Sequence, residues 1–495
     1  MNRIVDALGK LNWGKRAYAV FVLCAAAAMA LPAQTFTTLF RFDGTDGTSP
    51  QGALVQATNG EFYGTTEAGG AHNYGTVFKI TPSGTLTTLH SFCSQSDCTD
   101  GEGPGGALVQ ATSGDFYGTT CCGGANGDGT IFKITPSGTL TTLYSFCSQS
   151  GCADGLAPNG LVQATNGDFY GTAYEGGANG VGTVFKITPS GTLTTLYNFC
   201  SQSNCTDGEL PEAPLVQAAD GALYGTTCCG GPNGYGTIFR ITPSGMLTTV
   251  YSFNNTDGFA PNGLIQATNG DFYATTQFGG ANGNYGTVFK ITPSGTLTTL
   301  YNFCSRRGCI DGELPLAGLI QATNGDFYGT THGGGANNNC ILGCGTVFKI
   351  TPGGTLTTLY SFCSQSGCTD GDYPAAGLVQ DTNGDFYGTA GGGGDYSDSA
   401  CYLGGCGTVF SLSVGLGPFV ETQRTSGQVG GLVKILGTDL TGATSVSFNG
   451  TAAVFAVVSP SLITTTVPAG ATSGTVQVVT PSGTLSSNVP FLVLP

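Results

Sequence analysis

Charged side chains are scarce in this sequence, and only 9% of its 495 residues are Asp, Glu, Lys or Arg. Coiled coils and long surface helices need many such residues, and 83 glycines would weaken any helix further. Basic residues are the rarer charged type, 15 against 30 acidic ones, so the net charge is −15. A chain this acidic is repelled by the phosphate backbone of nucleic acids. The composition therefore excludes a coiled coil and predicts that no nucleic acid is bound.

Long apolar runs are also rare, and one long run occurs, at residues 17–31. Four basic residues precede it, and small residues at 28–30 and 32–33 suit a cleavage site. We interpret residues 1–33 as a secretory signal peptide. An uncleaved membrane anchor is the alternative, although the run is short for a span of ~20 residues. We expect a mature chain without a membrane span, secreted or held at the cell surface.

What the chain has in abundance is internal repetition. Four short strings each occur seven times, and their first complete set is Leu-Val-Gln at Leu54, Phe-Tyr-Gly-Thr at Phe62, Gly-Thr-Val-Phe at Gly75 and Thr-Thr-Leu at Thr87. Each string is rich in β-branched or aromatic residues and is bounded by Asn-Gly, Pro-Ser-Gly or Gly-Gly turns. We therefore predict four strands per repeat, A to D in chain order. A spacing of about 50 residues is typical of a four-stranded propeller blade.

The order of strings at the two ends of the repeat region predicts a closed ring. A strand of type D at residues 37–42 precedes every other element, whereas the seventh repeat stops after its strand C at Leu412. If the first strand completes the last sheet, the ring closes without a free edge. The fold class predicted is all-β: a seven-bladed β-propeller with four-stranded blades over residues 35–414, closed by the N-terminal strand.

Strand direction then assigns the connections to two faces. Antiparallel strands place the A–B and C–D turns on one face and the B–C and D–A connections on the other. The first face carries uniform tight turns, and the second carries the long, variable connections. We predict that any binding function lies on this second, loop-rich face, since loops on a rigid scaffold commonly carry function.

Beyond the repeats, residues 415–418 form a short linker and residues 419–495 a separate unit. Alternating apolar runs split by Gly and Pro predict a small Ig-like β-sandwich there.

The repeat unit resembles a known family. Gly-Asp-Phe-Tyr-Gly-Thr, a Gly-Gly-Ala-Asn-Gly loop and Gly-Thr-Ile-Phe-Lys-Ile-Thr-Pro-Ser-Gly follow one another at residues 114–138. This unit is similar to the tandem repeat of choice-of-anchor GloVer-containing proteins, and the similarity covers about three quarters of the chain. The resemblance implies an exported bacterial protein of a family without an assigned biochemical activity.

A second resemblance covers residues 427–493. It is carried by Gly-Gln-Val-Gly-Gly at 427–431, Leu-Gly-Thr-Asp-Leu at 436–440 and Val-Pro-Ala-Gly at 467–470. These motifs resemble an IPT/TIG immunoglobulin-like domain. The resemblance implies a spacer or binding unit without catalytic residues.

Eighteen of the 19 cysteines lie outside the predicted signal peptide and fall into nine local pairs. An even number of cysteines in an exported chain predicts disulfides. A zinc site is the alternative, but each of the five D–A loops with cysteines offers two thiolates where a structural site usually takes four ligands. The candidate disulfide cysteines are Cys93, Cys98, Cys121, Cys122, Cys147, Cys152, Cys200, Cys205, Cys228, Cys229, Cys304, Cys309, Cys340, Cys344, Cys363, Cys368, Cys401 and Cys406.

Two of these pairs, Cys121 with Cys122 and Cys228 with Cys229, are adjacent in sequence. Their Cα atoms are held ~3.8 Å apart, below the usual disulfide range, so a vicinal bridge would be strained. We expect such bridges nevertheless. Free thiols and pairing between chains are the alternatives.

Every D–A loop contains an Asp-Gly pair. A ring of seven carboxylates would attract cations or a partner, whereas Asp-Gly is also ordinary turn chemistry. The second interpretation is favoured because calcium needs six to eight converging oxygens and no Asp-x-Asp-x-Asp cluster supplies them. The candidate loop-face binding residues are Asp46, Asp100, Asp154, Asp207, Asp257, Asp311 and Asp370.

Catalytic patterns are weak in this sequence. The three histidines, His72, His90 and His332, sit at different repeat positions and show no Ser-His-Asp or Cys-His pattern. We therefore predict no catalytic residue, no cofactor and no metal ion, and a monomer that binds an extracellular protein or glycan as a non-catalytic scaffold. One alternative is a carbohydrate-binding lectin that uses Tyr63, Tyr117, Tyr170 and their counterparts. Another is a polysaccharide hydrolase or lyase, which an acidic pair ~5 to 10 Å apart would support.

Overall fold

A computed structural model of the chain describes residues 34–394, 401 and 404–494. The predicted signal peptide lies outside these residues. Within them the regular structure consists of β-strands and four short 3-10 segments, which confirms the all-β class. No helix in the described ranges is long and apolar enough to span a bilayer. The 3-10 segments are Ser96–Cys98, Ser150–Cys152, Ser203–Cys205 and Ser366–Cys368.

Seven antiparallel sheets have the predicted strand order A, B, C, D. We number them 1 to 7 along the chain. Their strands are as follows: Val55–Gln56, Phe62–Thr66, Thr76–Ile80 and Leu86–Ser91 in sheet 1; Val109–Gln110, Phe116–Thr120, Thr130–Ile134 and Leu140–Ser145 in sheet 2; Leu156–Gln163, Phe169–Glu175, Thr183–Ile187 and Leu193–Asn198 in sheet 3; Val216–Gln217, Leu223–Thr227, Thr237–Ile241 and Leu247–Ser252 in sheet 4; Phe259–Pro261 with Ile265–Gln266, Phe272–Phe278, Thr287–Ile291 and Leu297–Asn302 in sheet 5; Ile320–Gln321, Phe327–Thr331, Thr346–Ile350 and Leu356–Ser361 in sheet 6; and Val379–Gln380, Phe386–Ala390, Thr408–Ser413 and Thr35–Arg41 in sheet 7.

The burial of each strand follows from its composition and place. Strand B, Phe62–Thr66 in sheet 1, is buried at all five positions, as expected for an aromatic and threonine-rich strand covered on both sides. Strand D is half exposed, because it forms the outer edge of the sheet. The turn from A to B uses Gly60 at φ 83°, a left-handed conformation that glycine adopts without strain.

Strand A is shorter than the sequence suggests, with only two residues in sheet 1. The reason is that neighbouring sheets approach closely at this point. A Cβ on Gly52 would lie 2.8 Å from the carbonyl oxygen of Gly106, and the Thr65 hydroxyl donates to the same oxygen at 3.0 Å. The Gly106 carbonyl therefore bonds to a side chain of the preceding sheet instead of extending its own ladder.

The predicted pairing of the first strand with the last repeat is present. Thr35–Arg41 runs antiparallel to Thr408–Ser413, with Thr35 opposite Ser413 and Thr38 opposite Phe410. The Phe36 ring stacks on the Tyr360 ring of sheet 6 at 3.7 Å. The first strand therefore contributes both main-chain bonds and an aromatic contact to the last two sheets.

Neighbouring sheets pack through an aromatic pair that repeats along the chain. The strand B tyrosine of one sheet stacks on the strand B phenylalanine of the next, as Tyr63 does on Phe116 with ring centroids 4.0 Å apart. Tyr387 of sheet 7 stacks in the same way on Phe62 of sheet 1, at 4.2 Å. The other pairs are Tyr117 with Phe169, Tyr224 with Phe272, Tyr273 with Phe327 and Tyr328 with Phe386. Between sheets 3 and 4, Tyr170 shares a core cluster with Leu223, which replaces the phenylalanine.

The residues after the repeats form two further four-stranded sheets packed face to face. Their shared core includes Val420, Ile435, Phe448, Ile463 and Val478. One sheet contains Val420–Thr422, Leu432–Gly437, Leu462–Thr466 and Phe455–Ser459, and the other Thr451–Ala453, Ser445–Phe448, Val476–Thr480 and Gly483–Ser486. A parallel pair, Ser426–Gln428 with Leu492–Leu494, flanks them.

This C-terminal unit contacts the A–B turns of sheets 7, 1 and 2. The Phe419 amide donates to the carbonyl oxygen of Thr382 at 2.9 Å, and Ser461 Oγ donates to that of Thr58 at 3.4 Å. Lys434 Nζ donates to the carbonyl oxygen of Thr112 at 3.1 Å. The unit thus lies on the turn face and leaves the loop-rich face uncovered.

Candidate functional site

The loop-rich face is built from seven similar pairs of loops. In each pair, a glycine amide of the B–C loop donates to a carbonyl oxygen of the preceding D–A loop, as Gly124 does to Cys98 at 2.8 Å. The corresponding bonds are Gly70 to Gly44, Gly177 to Cys152, Gly231 to Cys205, Gly280 to Asn255, Gly335 to Cys309 and Gly394 to Cys368. Both loops of each pair are therefore fixed relative to the sheets below them.

Five of the D–A loops are longer and contain a Cys-x4-Cys pair. Their aspartates point inward. The Asp154 side chain is completely buried, and its Oδ2 accepts from the Ser148 amide and hydroxyl, both at 2.9 Å, and from the Tyr144 hydroxyl at 2.8 Å. Burial raises its pKa, but the hydrogen bonds from Tyr144 and Ser148 outweigh burial and hold the pKa below its usual value. Asp100, Asp207, Asp311 and Asp370 are equally buried and have matching serine bonds.

The two short D–A loops differ in the donors they provide. Asp257 accepts from the Tyr251 hydroxyl at 2.6 Å and from the Asn254 amide at 3.0 Å. Asp46 accepts from the Asp43 amide at 3.1 Å, and burial raises its pKa to about 6. All seven Asp-Gly aspartates therefore accept bonds from their own loops, which is turn chemistry, and no outward ring of carboxylates forms.

Seven of the nine cysteine pairs form disulfides in the structure. They are Cys93–Cys98, Cys147–Cys152, Cys200–Cys205, Cys304–Cys309, Cys340–Cys344, Cys363–Cys368 and Cys401–Cys406. Each closes a loop of only a few residues, so it pins a loop tip and does not join distant parts of the fold.

The two vicinal bridges that we expected are not formed. Cys121, Cys122, Cys228 and Cys229 are free thiols, with the sulfurs of the adjacent residues 2.9 Å apart in the first pair and 2.8 Å apart in the second. The trans peptide fixes adjacent Cα atoms ~3.8 Å apart, which opposes normal disulfide geometry.

One of these thiols lies in a polar cluster found in sheets 3 and 4. The Glu212 carboxyl lies near the Cys228 thiol and the Tyr174 hydroxyl, and desolvation raises the pKa of Glu212. Burial, with the charge of Glu212, raises the pKa of Tyr174 to about 12, and burial also raises the pKa of the Cys228 thiol. A thiol with a raised pKa is a poor nucleophile, so this cluster does not provide an activated cysteine.

One patch on the loop-rich face breaks the repeat and was not predicted from the sequence. The D–A loop after sheet 5 exposes Arg306, Arg307 and Ile310, and the B–C loop of sheet 6 exposes Ile341 and Leu342. The two loops are joined by the Gly335 to Cys309 bond at 2.9 Å. Ile341 is 96% exposed, the highest value among the large apolar residues. We call these five residues the Arg-Ile patch. Its signal in the sequence is Ser-Arg-Arg, where other long loops have Ser-Gln-Ser.

The tyrosines invoked for sugar stacking are not available at the surface. Tyr63, Tyr117 and Tyr170 are at most 4% exposed, and they pack against the next sheet. A lectin site would therefore need other aromatic residues.

Most of the other repeated polar residues have structural partners. Gln110 Oε1 accepts from the Thr58 amide of the preceding sheet at 3.0 Å, and Gln163 accepts from Thr112 in the same way at 3.2 Å. Lys79 pairs with Glu61 across strands at 3.1 Å, and such half-exposed pairs contribute ~0 to 1 kcal/mol. Similar pairs are Lys133 with Asp115, Lys186 with Asp168, Arg240 with Asp220 and Lys349 with Asp326.

The histidines have separate environments. His90 Nε2 lies 3.0 Å from Asp100 Oδ2, the position that a tyrosine hydroxyl takes in other long loops. His332 stacks on Tyr373, and burial lowers its pKa. His72 is exposed. In the described ranges, no hydrogen bond joins any of the three to a serine or cysteine that would serve as a nucleophile.

A cavity of about 310 Å³ lies where the C-terminal unit meets sheet 2. It is lined in part by Gln423, Arg424 and Lys434. Both cationic groups donate to Thr112, Arg424 Nη2 to the hydroxyl at 3.4 Å and Lys434 Nζ to the carbonyl oxygen at 3.1 Å. These cations thus hold the two parts of the chain together.

Comparison with known proteins gives two family matches. The Gloeobacter/Verrucomicrobia repeat matches residues 26–219 and 148–342, and the IPT/TIG domain matches residues 419–493. No curated protein matches the chain.

Among solved structures, a fungal alcohol oxidase of the AA5 family in complex with copper is 11% identical, with a TM-score of 0.48 over 93% of this chain and 99% of the oxidase. A protein of unknown function from Bacteroides thetaiotaomicron is 14% identical, with a TM-score of 0.41 over 77% of this chain and 76% of its own. A luciferin-regenerating enzyme is 11% identical, with a TM-score of 0.39 over 78% of this chain and 98% of its own. At these identities the likeness concerns the fold alone.

Proposed function

The chain belongs to the Gloeobacter/Verrucomicrobia repeat family and carries an IPT/TIG domain, and from this premise we propose that it is a non-catalytic, exported binding or scaffold protein. Repeat and TIG domains both fit such a role. The observation that carries the proposal is the Arg-Ile patch, where a face of otherwise similar loops presents cationic and apolar side chains together.

The architecture proposed is a closed seven-bladed propeller over residues 35–414, a linker at 415–418 and the TIG domain at 419–495. Support comes from the pairing of Thr35–Arg41 with Thr408–Ser413 and from the stacking of Tyr387 on Phe62. The stacked pair joins the first and last sheets in the same way as other neighbours are joined, and the strand pairing completes the last sheet. A closed ring holds all seven loop pairs on one rigid disc.

The composition of the patch indicates the chemistry of its partner. Ile341 and Leu342 supply an apolar tip, and Arg306 and Arg307 supply the neighbouring positive charge on a chain whose net charge is −15. Arginine and exposed apolar residues are typical of protein interfaces, and charge complementarity directs the approach of a partner. We propose an extracellular protein with an apolar pocket beside acidic residues.

The loops that form the patch are ordered before binding. The disulfides Cys304–Cys309 and Cys340–Cys344 close the two loop tips, and Asp311 accepts from Ser305 and Tyr301 below them. A surface that is already ordered loses less conformational entropy when it binds. The disulfides also suit the oxidising environment that export implies.

Capture from the native cell envelope tests this proposal. The mature chain would be immobilised beside a variant with Arg306→Ser, Arg307→Ser, Ile341→Ser and Leu342→Ser. The matched control is Gln149→Ala with Ser150→Ala, which changes the equivalent exposed positions of the loop after sheet 2. We expect the same protein to be retained by the wild type and the control and lost from the patch variant, with mass spectrometry as the readout.

Either of two results would contradict the proposal. Turnover of polysaccharides by the purified chain would assign it to the hydrolase or lyase class. Binding on a glycan array that persists in the patch variant would move recognition to a different surface and a different class of ligand.

A further inference from the structure

Four cysteine sulfurs from two separate loops meet beside sheet 6. Cys340 and Cys344 lie in its B–C loop, and Cys363 and Cys368 lie in the D–A loop that follows it. All four sulfurs lie within 4.8 Å of one another. Three of the residues are buried and Cys340 is partly buried. We call them the tetracysteine cluster.

This juxtaposition removes the argument against zinc that the sequence suggested. A D–A loop alone offers two thiolates, but here a neighbouring loop supplies two more. Four cysteines form a standard structural zinc set, and tetrahedral Zn–S bonds of ~2.3 Å place the sulfurs ~3.8 Å apart. The small movement from the present separations is available to loop residues, since no strand contains any of the four.

The other cysteine loops show what sets this cluster apart. Cys147 and Cys152 are grouped with Asp128, and Cys304 and Cys309 with Glu313, so each of these groups has two sulfurs and one carboxylate. Softer, thiophilic ions favour sulfur-rich ligand sets. Within the described residues, the group beside sheet 6 is the one composed of four sulfurs.

We propose that, when reduced, the tetracysteine cluster binds one thiophilic divalent metal ion of the zinc class. In the structure the four residues form two disulfides. Reduction by two equivalents of a dithiol transfers four electrons and four protons to the sulfurs, and each dithiol becomes a cyclic disulfide. Binding of the divalent ion then releases the four thiol protons and forms four metal–sulfur bonds.

The residues around the cluster affect its reduced, metal-bound state. Asn339 Nδ2 lies 3.4 Å from Cys363 Sγ, which places an amide donor against a thiolate. Cys340 Sγ lies 3.8 Å from Asp372 Oδ2, a carboxylate whose charge opposes an anionic metal–thiolate complex. Asp372→Asn should therefore bind the ion more tightly than the wild type. Loss of binding in that variant would identify a carboxylate ligand and overturn the four-sulfur assignment.

Cobalt is the probe that reports four sulfur ligands directly. The full mature chain, with Cys121, Cys122, Cys228 and Cys229 changed to Ser, would be reduced without oxygen and titrated with Co²⁺. These changes remove the thiols that are free before reduction. We expect one equivalent of cobalt, intense sulfur-to-cobalt charge-transfer bands, tetrahedral ligand-field bands and displacement by Zn²⁺. The absence of a four-sulfur spectrum would overturn the proposal.

Paired variants locate the ion. Cys340→Ser with Cys344→Ser should abolish the cobalt spectrum, and Cys147→Ser with Cys152→Ser should leave it unchanged. Alkylation followed by mass spectrometry gives a test that needs no folded variant, because bound zinc should protect Cys340, Cys344, Cys363 and Cys368 together. Protection of any other set of cysteines would place the ion elsewhere and refute the assignment.

Discussion

At the residue scale, the buried aspartates of the D–A loops show how one carboxylate organises a whole connection. Asp154 is bonded by the backbone and side chain of Ser148 and by Tyr144. The Asp-Gly pattern predicted turns correctly, since local donors come from the same few residues. The Arg-Ile patch was not predicted, because the repeated strings define only what the loops share, whereas Arg306 and Ile341 are where the loops differ.

The two short loops allow a reciprocal test of this bonding. Phe40 occupies the position before Asp46 that Tyr251 occupies before Asp257, so Asp46 lacks the hydroxyl donor. We expect Phe40→Tyr to stabilise the fold by about 1 kcal/mol near neutral pH, and Tyr251→Phe to destabilise it by a similar amount.

The pH dependence of the same variants follows from the raised pKa of Asp46, about 6 in the folded chain. Its ordinary value is near 3.9, so ionisation costs the wild type stability as pH rises from about 4 to 6. Phe40→Tyr should reduce this loss. Thermal unfolding between pH 4 and 7 measures this loss of stability. An equal loss in the wild type and in Phe40→Tyr would contradict the role given to Asp46.

At the scale of elements, strand type and order were predictable, and strand length was not. Strings such as Phe-Tyr-Gly-Thr mark strand B because aromatic and β-branched residues favour a covered strand. Strand A is shortened by contact with the next sheet, where Gly52 approaches the carbonyl of Gly106. That contact involves residues about 50 positions apart, and no local pattern reports it.

The first strand gives the prediction at this scale. Removal of Thr35–Arg41 leaves Thr408–Ser413 as an open edge and uncovers Phe362 and Phe410, which Phe36 contacts. We expect the shortened chain to unfold at a lower temperature and to self-associate, since exposed edge strands pair with other chains. Calorimetry and light scattering are the measurements.

Two controls accompany this deletion. A peptide of residues 34–42 added in excess should reverse the self-association. Removal of residues 419–494 should leave the thermal transition of the repeat region in place. A shortened chain that remains monomeric with an unchanged transition would refute the role given to the strand.

At the scale of the whole molecule, the junction with the TIG domain contains a partly buried acid, Glu421. Val420 and Thr422 face the core of that domain, so the intervening Glu421 faces outward, on the side from which Gln423 bonds the Ala111 carbonyl. Burial raises the pKa of Glu421 to about 7. The place of Glu421 at the junction was not predicted from the sequence, because the neighbouring contact of Gln423 with Ala111 spans more than 300 residues.

The raised pKa makes the junction sensitive to pH. Glu421 ionises near pH 4.3 when unfolded and near 7 when folded, so stability should fall as pH rises between these values. Glu421→Gln should remove this fall and leave the TIG domain more stably docked at pH 8. Limited proteolysis at residues 415–418 across this pH range measures docking of the TIG domain. Equal cleavage rates in the wild type and in Glu421→Gln at every pH would contradict the role given to Glu421.

Because Thr35 lies opposite Ser413 in one sheet, the two ends of the repeat region are neighbours in space. A short peptide bridge between them would allow the chain to be opened at another inter-sheet connection with the same contacts retained. The sheet that comes first in the gene can then be changed while the contacts between neighbouring sheets stay the same. Recombination can therefore relocate a single loop of the loop-rich face without redesigning the scaffold.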